Sequence, residues 1–228
     1  MIERLAQIRQ LESMCDDIAK AFASQNLELE SWVREALMSV NRIDFVSDFS
    51  HLAYELNPLP IQGAQFISSP LTVAKMTQYL GQGDSVLEVG LGSGYQAMVL
   101  AKAGFRRVFS IERIERLLLQ AREKIRASGV LNINTKFGDG QSGWAEYAPY
   151  DRILLSACLE DSVPSALIKQ LEEGGILLAP MLEERTTPSG KVEQRQVIKR
   201  FLKNSGRLVD EEVLEDCLFV PIVKGTMQ

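Results

Sequence analysis

Three glycines, two carboxylates and a serine are the residues of this 228-residue chain whose types and spacing can do chemistry. The stretch Val86-Leu-Glu-Val-Gly-Leu-Gly-Ser-Gly-Tyr-Gln96 runs from apolar residues into Gly90, Gly92 and Gly94. Glycine is needed where a backbone turns tightly or lies against a ligand. Open α/β sheets bind ligands at the carboxyl ends of their strands. A dinucleotide loop has the spacing GxGxxG, with a pyrophosphate on the following helix N-terminus. Here the third glycine of that pattern falls on Tyr95. The observed GxGxG suits a nucleotide cofactor without a pyrophosphate. S-adenosylmethionine is one, and its amino-acid end can lie against such a loop. Glu112, directly after Phe109-Ser110-Ile111, is placed to hold two ribose hydroxyls, and Asp139, within Gly138-Asp-Gly140, to accept from an adenine amino group. A lone glycine loop is also what an ordinary turn looks like. The conjunction with Glu112 and Asp139 at the ends of successive strands points to a cofactor.

Those residues need a scaffold that delivers strand ends to one edge. From Ser85 onward the pattern alternates: strand Val86–Val89, helix Tyr95–Ala103, strand Arg107–Ile111, helix Ile114–Ser128, strand Ile133–Phe137, strand Asp151–Ser156, short helix Pro164–Leu171 and strand Ile176–Ala179. Such alternation predicts a mostly parallel sheet with helices on both faces. Residues 183–197 suggest a polar hairpin turning at Pro-Ser-Gly, and Val197–Phe201 and Cys217–Val220 read as late strands. Before the sheet, Leu5, Ile8, Leu11, Met14, Ile18 and Phe22 recur at helical spacing. Ser31 can cap a second helix. Residues 55–70, with three prolines and a glycine, predict an irregular extended loop, and Pro70 suits the first turn of a helix through Val73, Met76 and Leu80. The expected organisation is N-terminal helices and a loop over 1–80, packed on an α/β domain over 81–228.

Composition narrows the function. With 46% hydrophobic and 24% charged residues, a sizeable core is expected rather than disorder. A net charge of -5 argues against a nucleic-acid partner, whose phosphates call for a basic face. No stretch reaches the roughly 18 apolar residues of a membrane span. The N-terminus lacks a signal peptide's apolar run, so a soluble cytoplasmic protein is expected. Cys15, Cys158 and Cys217 are far apart and odd in number, which fits buried free thiols and no metal site. His51 is the only histidine, so a Ser-His-Asp hydrolase has a single candidate base.

Several stretches resemble the protein-L-isoaspartate O-methyltransferases. They are Leu59-Pro-Ile-Gln-Gly-Ala-Gln-Phe-Ile-Ser-Ser-Pro70, the glycine loop, Ser110-Ile-Glu-Arg-Ile114 and Gly138-Asp-Gly-Gln-Ser-Gly-Trp144. The likeness continues in Ala148-Pro-Tyr-Asp151, Gln170-Leu-Glu-Glu-Gly-Gly175 and Phe219-Val-Pro-Ile-Val-Lys-Gly225. It implies a Rossmann-like methyltransferase fold with an N-terminal helical extension. It further implies S-adenosylmethionine as donor and the α-carboxylate of L-isoaspartyl residues in damaged proteins or peptides as acceptor. The cofactor-binding set is then Glu88, Gly90, Gly92, Ser93, Gly94, Glu112, Asp139 and Gly140. Ser68 matches the serine the family places beside the acceptor.

A carboxylate is already ionised at neutral pH, so displacement at a sulfonium methyl needs no general base. The lack of a second histidine is no obstacle. Three departures from the family pattern stand out: Phe66 in place of threonine, Ser156-Ala157-Cys158 in place of a small residue and two alanines, and Leu91 in the glycine loop. Phe66 narrows the pocket or points into the core. Ser68 and Ser69 each precede Pro70, so either can simply cap the helix. Trp144 and Tyr147 read first as core aromatics. Another carboxylate acceptor, or a relative that binds the cofactor without transferring its methyl group, remains open beside the repair reading.

Overall fold

The computed structural model describes residues 2–46, 48–186 and 190–228. Its centre is a seven-stranded sheet built from β3 (Ser85–Val89), β4 (Arg107–Glu112), β5 (Ile133–Phe137), β6 (Tyr150–Leu155), β7 (Leu171–Thr186), β8 (Val192–Asn204) and β9 (Arg207–Cys217), in the spatial order β5-β4-β3-β6-β7-β8-β9. The first five in that order pair in parallel, whereas β8 and β9 add antiparallel at one edge. The order reverses between β3 and its neighbours β4 and β6. That leaves a crevice at their carboxyl ends where a ligand can enter.

Side chains alternate across this sheet as a strand's period of two requires. Val86, Val108, Leu154, Leu178 and Ile198 enter one core. Leu87, Val89, Phe109, Ile111, Ile153, Leu155, Leu177, Ala179 and Phe201 enter the other. The first core carries most of the helical cover: α1 (Ile2–Ala23), α2 (Ser31–Met38), α3 (Pro70–Leu80), α4 (Tyr95–Lys102) and α5 (Glu115–Ala127). The second is closed by α6 (Ser165–Gln170) and by an aromatic cluster in which Phe109 stacks on Tyr147 with ring centres 4.7 Å apart and meets Trp144 edge-on. Trp144 and Tyr147 pack against Phe109, but Trp144 is only partly buried and Tyr147 is exposed, so they cover this core rather than lie within it as expected.

The strand and helix expectations from 85 to 171 match within a few residues, whereas the expected strand Ile176–Ala179 is the middle of the longer β7, Leu171–Thr186. In α1, burial begins at Leu11, while Leu5 and Ile8 stay exposed. Ser31 is the first residue of α2 rather than its cap; Glu30 takes the cap position, and no side chain bonds there. Within the expected loop, β1 (Leu59–Ile61) and β2 (Gln65–Ile67) form a small antiparallel hairpin around Gly63 and Ala64, both at positive φ. Pro60 is tolerated because a two-stranded ribbon leaves one side of each strand unpaired. Of the expected Pro-Ser-Gly turn, Pro188 and Ser189 lie outside the described residues.

The predicted strand Cys217–Val220 needs correction: β9 ends at Cys217, and residues 218–220 are no strand. An apolar run this short does not declare its structure by periodicity. Here it crosses the carboxyl ends of the sheet, with Val220 accepting from the Cys158 N–H at 2.8 Å and Ile222 donating to the Cys158 carbonyl at 2.8 Å. Among the described residues no helix is long and apolar enough to cross a membrane.

Candidate functional site

The crevice is a cleft of about 910 Å³, counting its open mouth. Its floor is the end of β3 and the glycine loop. Gly90, Gly92 and Gly94 have φ of 100°, 53° and 89°, a region that costs a side chain about 1–2 kcal/mol. Gly90 lies beneath Ser156 at the end of β6, and Gly94 opens α4. Gly90, Leu91, Gly92 and Ser93 line the cleft, whereas Gly94 faces Ala121 and Ile125 behind it. Gly140 lines it too, and a Cβ there would overlap Val89. Bare backbone at that point keeps the floor open, which is what a ligand lying flat against it requires.

Glu112 ends β4, is 5% exposed and lines the cleft. Its Oε2 accepts from the Gly92 N–H at 2.8 Å and its Oε1 from the Ile114 N–H at 2.9 Å. A carboxylate offers about four lone-pair sites. Two are used here, so the side chain is fixed and still able to accept. Asp139 is held in the same way, accepting from the Gln141 N–H at 2.9 Å and the Gly225 N–H at 2.8 Å. It adjoins Gly140, which lines the cleft, and ties the C-terminal segment to the site. Glu88 does not reach the cleft: it is fully buried in β3 and accepts from the Ser110 hydroxyl. Burial, with the Glu112 charge adding to it against the Ser110 hydrogen bond, pushes its carboxyl up to about 8.

The other wall is the loop Gln65, Phe66, Ile67 and Ser68. The two serines before Pro70 separate cleanly. Ser69 caps α3, its hydroxyl accepting from the Thr72 N–H at 3.0 Å. Ser68 lines the cleft, and its hydroxyl has no hydrogen-bond partner among the described residues. Phe66 is 55% exposed at the rim, so it does not point into the core. Ser156 and Ala157 face the cleft, while Cys158 is buried and holds the crossing segment 220–222. Leu91 is buried beneath the loop. His51 is exposed and stands outside the lining.

Two features escaped the sequence. Val220, Pro221, Ile222 and Val223 form a roof over the cleft, of which only Val220 falls within the expected strand Cys217–Val220. Arg42, completely buried, bonds the Ser68 carbonyl at 3.0 Å. Nothing in Asn41-Arg42-Ile43 distinguishes it from a surface arginine. No group of three or more metal-ligating side chains occurs among the described residues.

A mostly parallel sheet with this order, a glycine loop after its central strand and an acidic residue closing the next are the architecture of S-adenosylmethionine-dependent methyltransferases. The family model of protein-L-isoaspartate(D-aspartate) O-methyltransferase matches residues 15–227, and the chain belongs to that family. It is 54% identical over 215 residues to the protein-L-isoaspartate O-methyltransferase of Helicobacter pylori, covering 93% of this chain and 95% of that protein. With the protein of that name from Halorhodospira halophila it shares 47% over 170 residues, 73% of this chain and 76% of the other. A solved protein-L-isoaspartate O-methyltransferase superposes with a TM-score of 0.74 at 25% identity, over 91% of this chain and 65% of that one. A Plasmodium falciparum structure, described as a putative member in complex with S-adenosyl-L-homocysteine, shares the fold with a TM-score of 0.73 at 21% identity, over 92% and 98% of the two chains.

Proposed function

We propose that this chain methylates the α-carboxylate of L-isoaspartyl residues in damaged proteins or peptides, using S-adenosylmethionine held at the glycine-loop end of the cleft. The observation that carries it is one cleft with two chemically distinct ends. Fixed acceptors and bare glycine backbone stand at one end, and the Ser68 hydroxyl stands at the other. S-adenosylmethionine, when bound, supplies a methyl group on a sulfonium.

The chain's own residues supply placement. Gly90, Gly92 and Ser93 let backbone approach the amino-acid end, and Gly94 turns the loop into α4. The spare lone pairs of Glu112 take the ribose hydroxyls, and those of Asp139 the adenine amino group, beside Gly140. Glu88 supports the loop from beneath. Ser68 donates to one oxygen of the acceptor carboxylate and turns the other toward the methyl group. Val220–Val223 and the loop exclude water, which would otherwise solvate the nucleophile. Orientation of two reactants is the largest contribution available to a site that needs no base.

We further infer that residues 1–80 and 81–228 act as one unit, supported by the core that α1, α2 and α3 share with β3, β4 and β6. A cytoplasmic setting fits three cysteines that are free thiols.

The test is methyl transfer from labelled S-adenosylmethionine to paired peptides, one with L-isoaspartate and one with L-aspartate. Label in the isoaspartyl peptide alone is expected. Equal label in both, or none with cofactor bound, overturns the reading.

A further inference from the structure

Behind the acceptor loop lies a buried charge with no part in the reading above. Arg42 begins a short 3-10 turn, Arg42–Phe45, and is wholly inaccessible. Its guanidinium donates from Nη1 to the Ala53 carbonyl at 2.6 Å, and from Nη2 to the carbonyls of Asn57 at 3.1 Å and Ser68 at 3.0 Å. It stands 5.9 Å from the ring centre of Tyr95, which lines the cleft. Its Nε has no acceptor. Among the described residues no carboxylate comes within 4.0 Å of it. Burial pushes its pKa down to about 10, so it is still a cation at neutral pH.

Burying a charge without a counter-ion is costly, and an apolar side chain of similar volume would fill the space without that cost. The three carbonyls it binds come from residues 53, 57 and 68, which bracket the acceptor loop. A rigid planar fork can pin three such points; a lysine's single ammonium cannot do so with the same geometry. The bound carbonyl of Ser68 belongs to a residue that lines the cleft and whose hydroxyl is free of other partners among the described residues.

We propose that Arg42 is the positioning residue for the acceptor. Its fork fixes the loop so that Ser68 is aimed, and its unpaired positive charge stands behind the end of the cleft that takes an anion. This rests on the assignment of Gln65–Ser68 as the acceptor end. The two parts of the role differ kinetically. Methylation removes the carboxylate's charge, so attraction to a cation is stronger in the bound substrate than in the transition state. The charge therefore acts on peptide affinity, and the fork, which sets orientation, acts on turnover.

Arg42→Lys keeps the charge and loses the fork. It is expected to lower kcat for an isoaspartyl peptide about 100-fold, the scale of a misplaced reactant, with affinity for S-adenosylhomocysteine unchanged. Arg42→Gln loses both and is expected to raise the peptide KM as well. In a cycle with Ser68→Ala, the two losses in kcat/KM are expected to be non-additive, because Arg42 acts through Ser68. A lower melting temperature with wild-type kcat in the folded fraction, or full additivity, overturns the proposal. A further measurement needs no variant. In the wild-type protein with S-adenosylhomocysteine, the Arg42 Nε–H resonance is expected to shift when the isoaspartyl peptide is added and to stay put with the aspartyl peptide. No shift on binding overturns the proposal. A wild-type protein that leaves the isoaspartyl peptide unmethylated counts instead against the function proposed above.

Discussion

At the glycine-loop end of the cleft, regular elements do the positioning: Glu112 closes β4, Gly140 follows β5, and backbone N–H groups of Gly92 and Ile114 hold the carboxylate. At the end proposed for the acceptor, a hairpin of two three-residue strands carries Phe66 and leads into Ser68, and a buried arginine bonds the Ser68 carbonyl. Both ends also bury an ionisable side chain, with opposite outcomes. Glu88 has only the Ser110 hydroxyl for company, and burial favours its neutral form. Arg42 has three carbonyls, and its pKa stays far enough above neutrality to keep the charge. A scaffold of strands can fix a cofactor-facing carboxylate with backbone N–H groups alone. A loop that must present one hydroxyl to an anion needs a side chain to hold it.

The largest expected effect concerns Glu88. A carboxyl raised from 4.5 to about 8 keeps a proton in the folded chain that the unfolded chain has released. Its contribution to stability is full below pH 4.5 and is lost by about 1.4 kcal/mol per pH unit as pH rises to about 8, then levels off. Denaturant unfolding of Glu88→Gln across that window should lack this slope. An unchanged slope would mean that Glu88 is ionised and that the contrast with Arg42 is false.

Next is Gly140→Ala. The added Cβ meets Val89, and forced overpacking of this kind costs about 1–3 kcal/mol. Affinity for S-adenosylhomocysteine, measured by calorimetry, should fall by about tenfold or more, because the floor moves into the cleft. Wild-type affinity would show that the cofactor does not lie on this floor.

The smallest expected effect is at the rim. Phe66 is half-exposed, so Phe66→Thr should leave stability within about 0.5 kcal/mol. It should change kcat/KM by about tenfold or less, and mostly for peptides with an apolar residue beside the isoaspartate. A loss of all turnover would place Phe66 in the acceptor site itself.

The same contrast governs what could be read from sequence. Strands β3 to β6 and their helices were legible because apolar periodicity and glycine punctuation agree there. Of the expected cofactor residues, Gly90, Gly92, Ser93, Glu112 and Gly140 line the cleft, whereas Glu88 is buried beneath it in its strand and Gly94 faces Ala121 and Ile125. As residues alone, Ser68 and Ser69 both fit a cap before Pro70; the family resemblance singles out Ser68 for the acceptor, and the Ser69–Thr72 hydrogen bond assigns the cap. Phe66 was undecided because the face of a short strand depends on a register that the hairpin alone supplies. Arg42 was invisible, since its burial is created by residues 53, 57 and 68, all distant in sequence. The run 217–220 reads as a strand because a short apolar stretch looks alike in a strand and in a crossing segment, and only its last residue, Val220, belongs to the roof.

The central claim is that one cleft has a cofactor end and an acceptor end that can be disabled separately. Its most direct test is paired: S-adenosylhomocysteine affinity and isoaspartyl-peptide kcat/KM for Glu112→Ala and for Ser68→Ala. Glu112→Ala should weaken the affinity by about 1.5–3 kcal/mol, the worth of hydrogen bonds to a charged group. Ser68→Ala should leave it within about twofold while kcat/KM drops well below wild type. Equal loss of both quantities in Ser68→Ala, or unchanged affinity in Glu112→Ala, would contradict the division of the cleft.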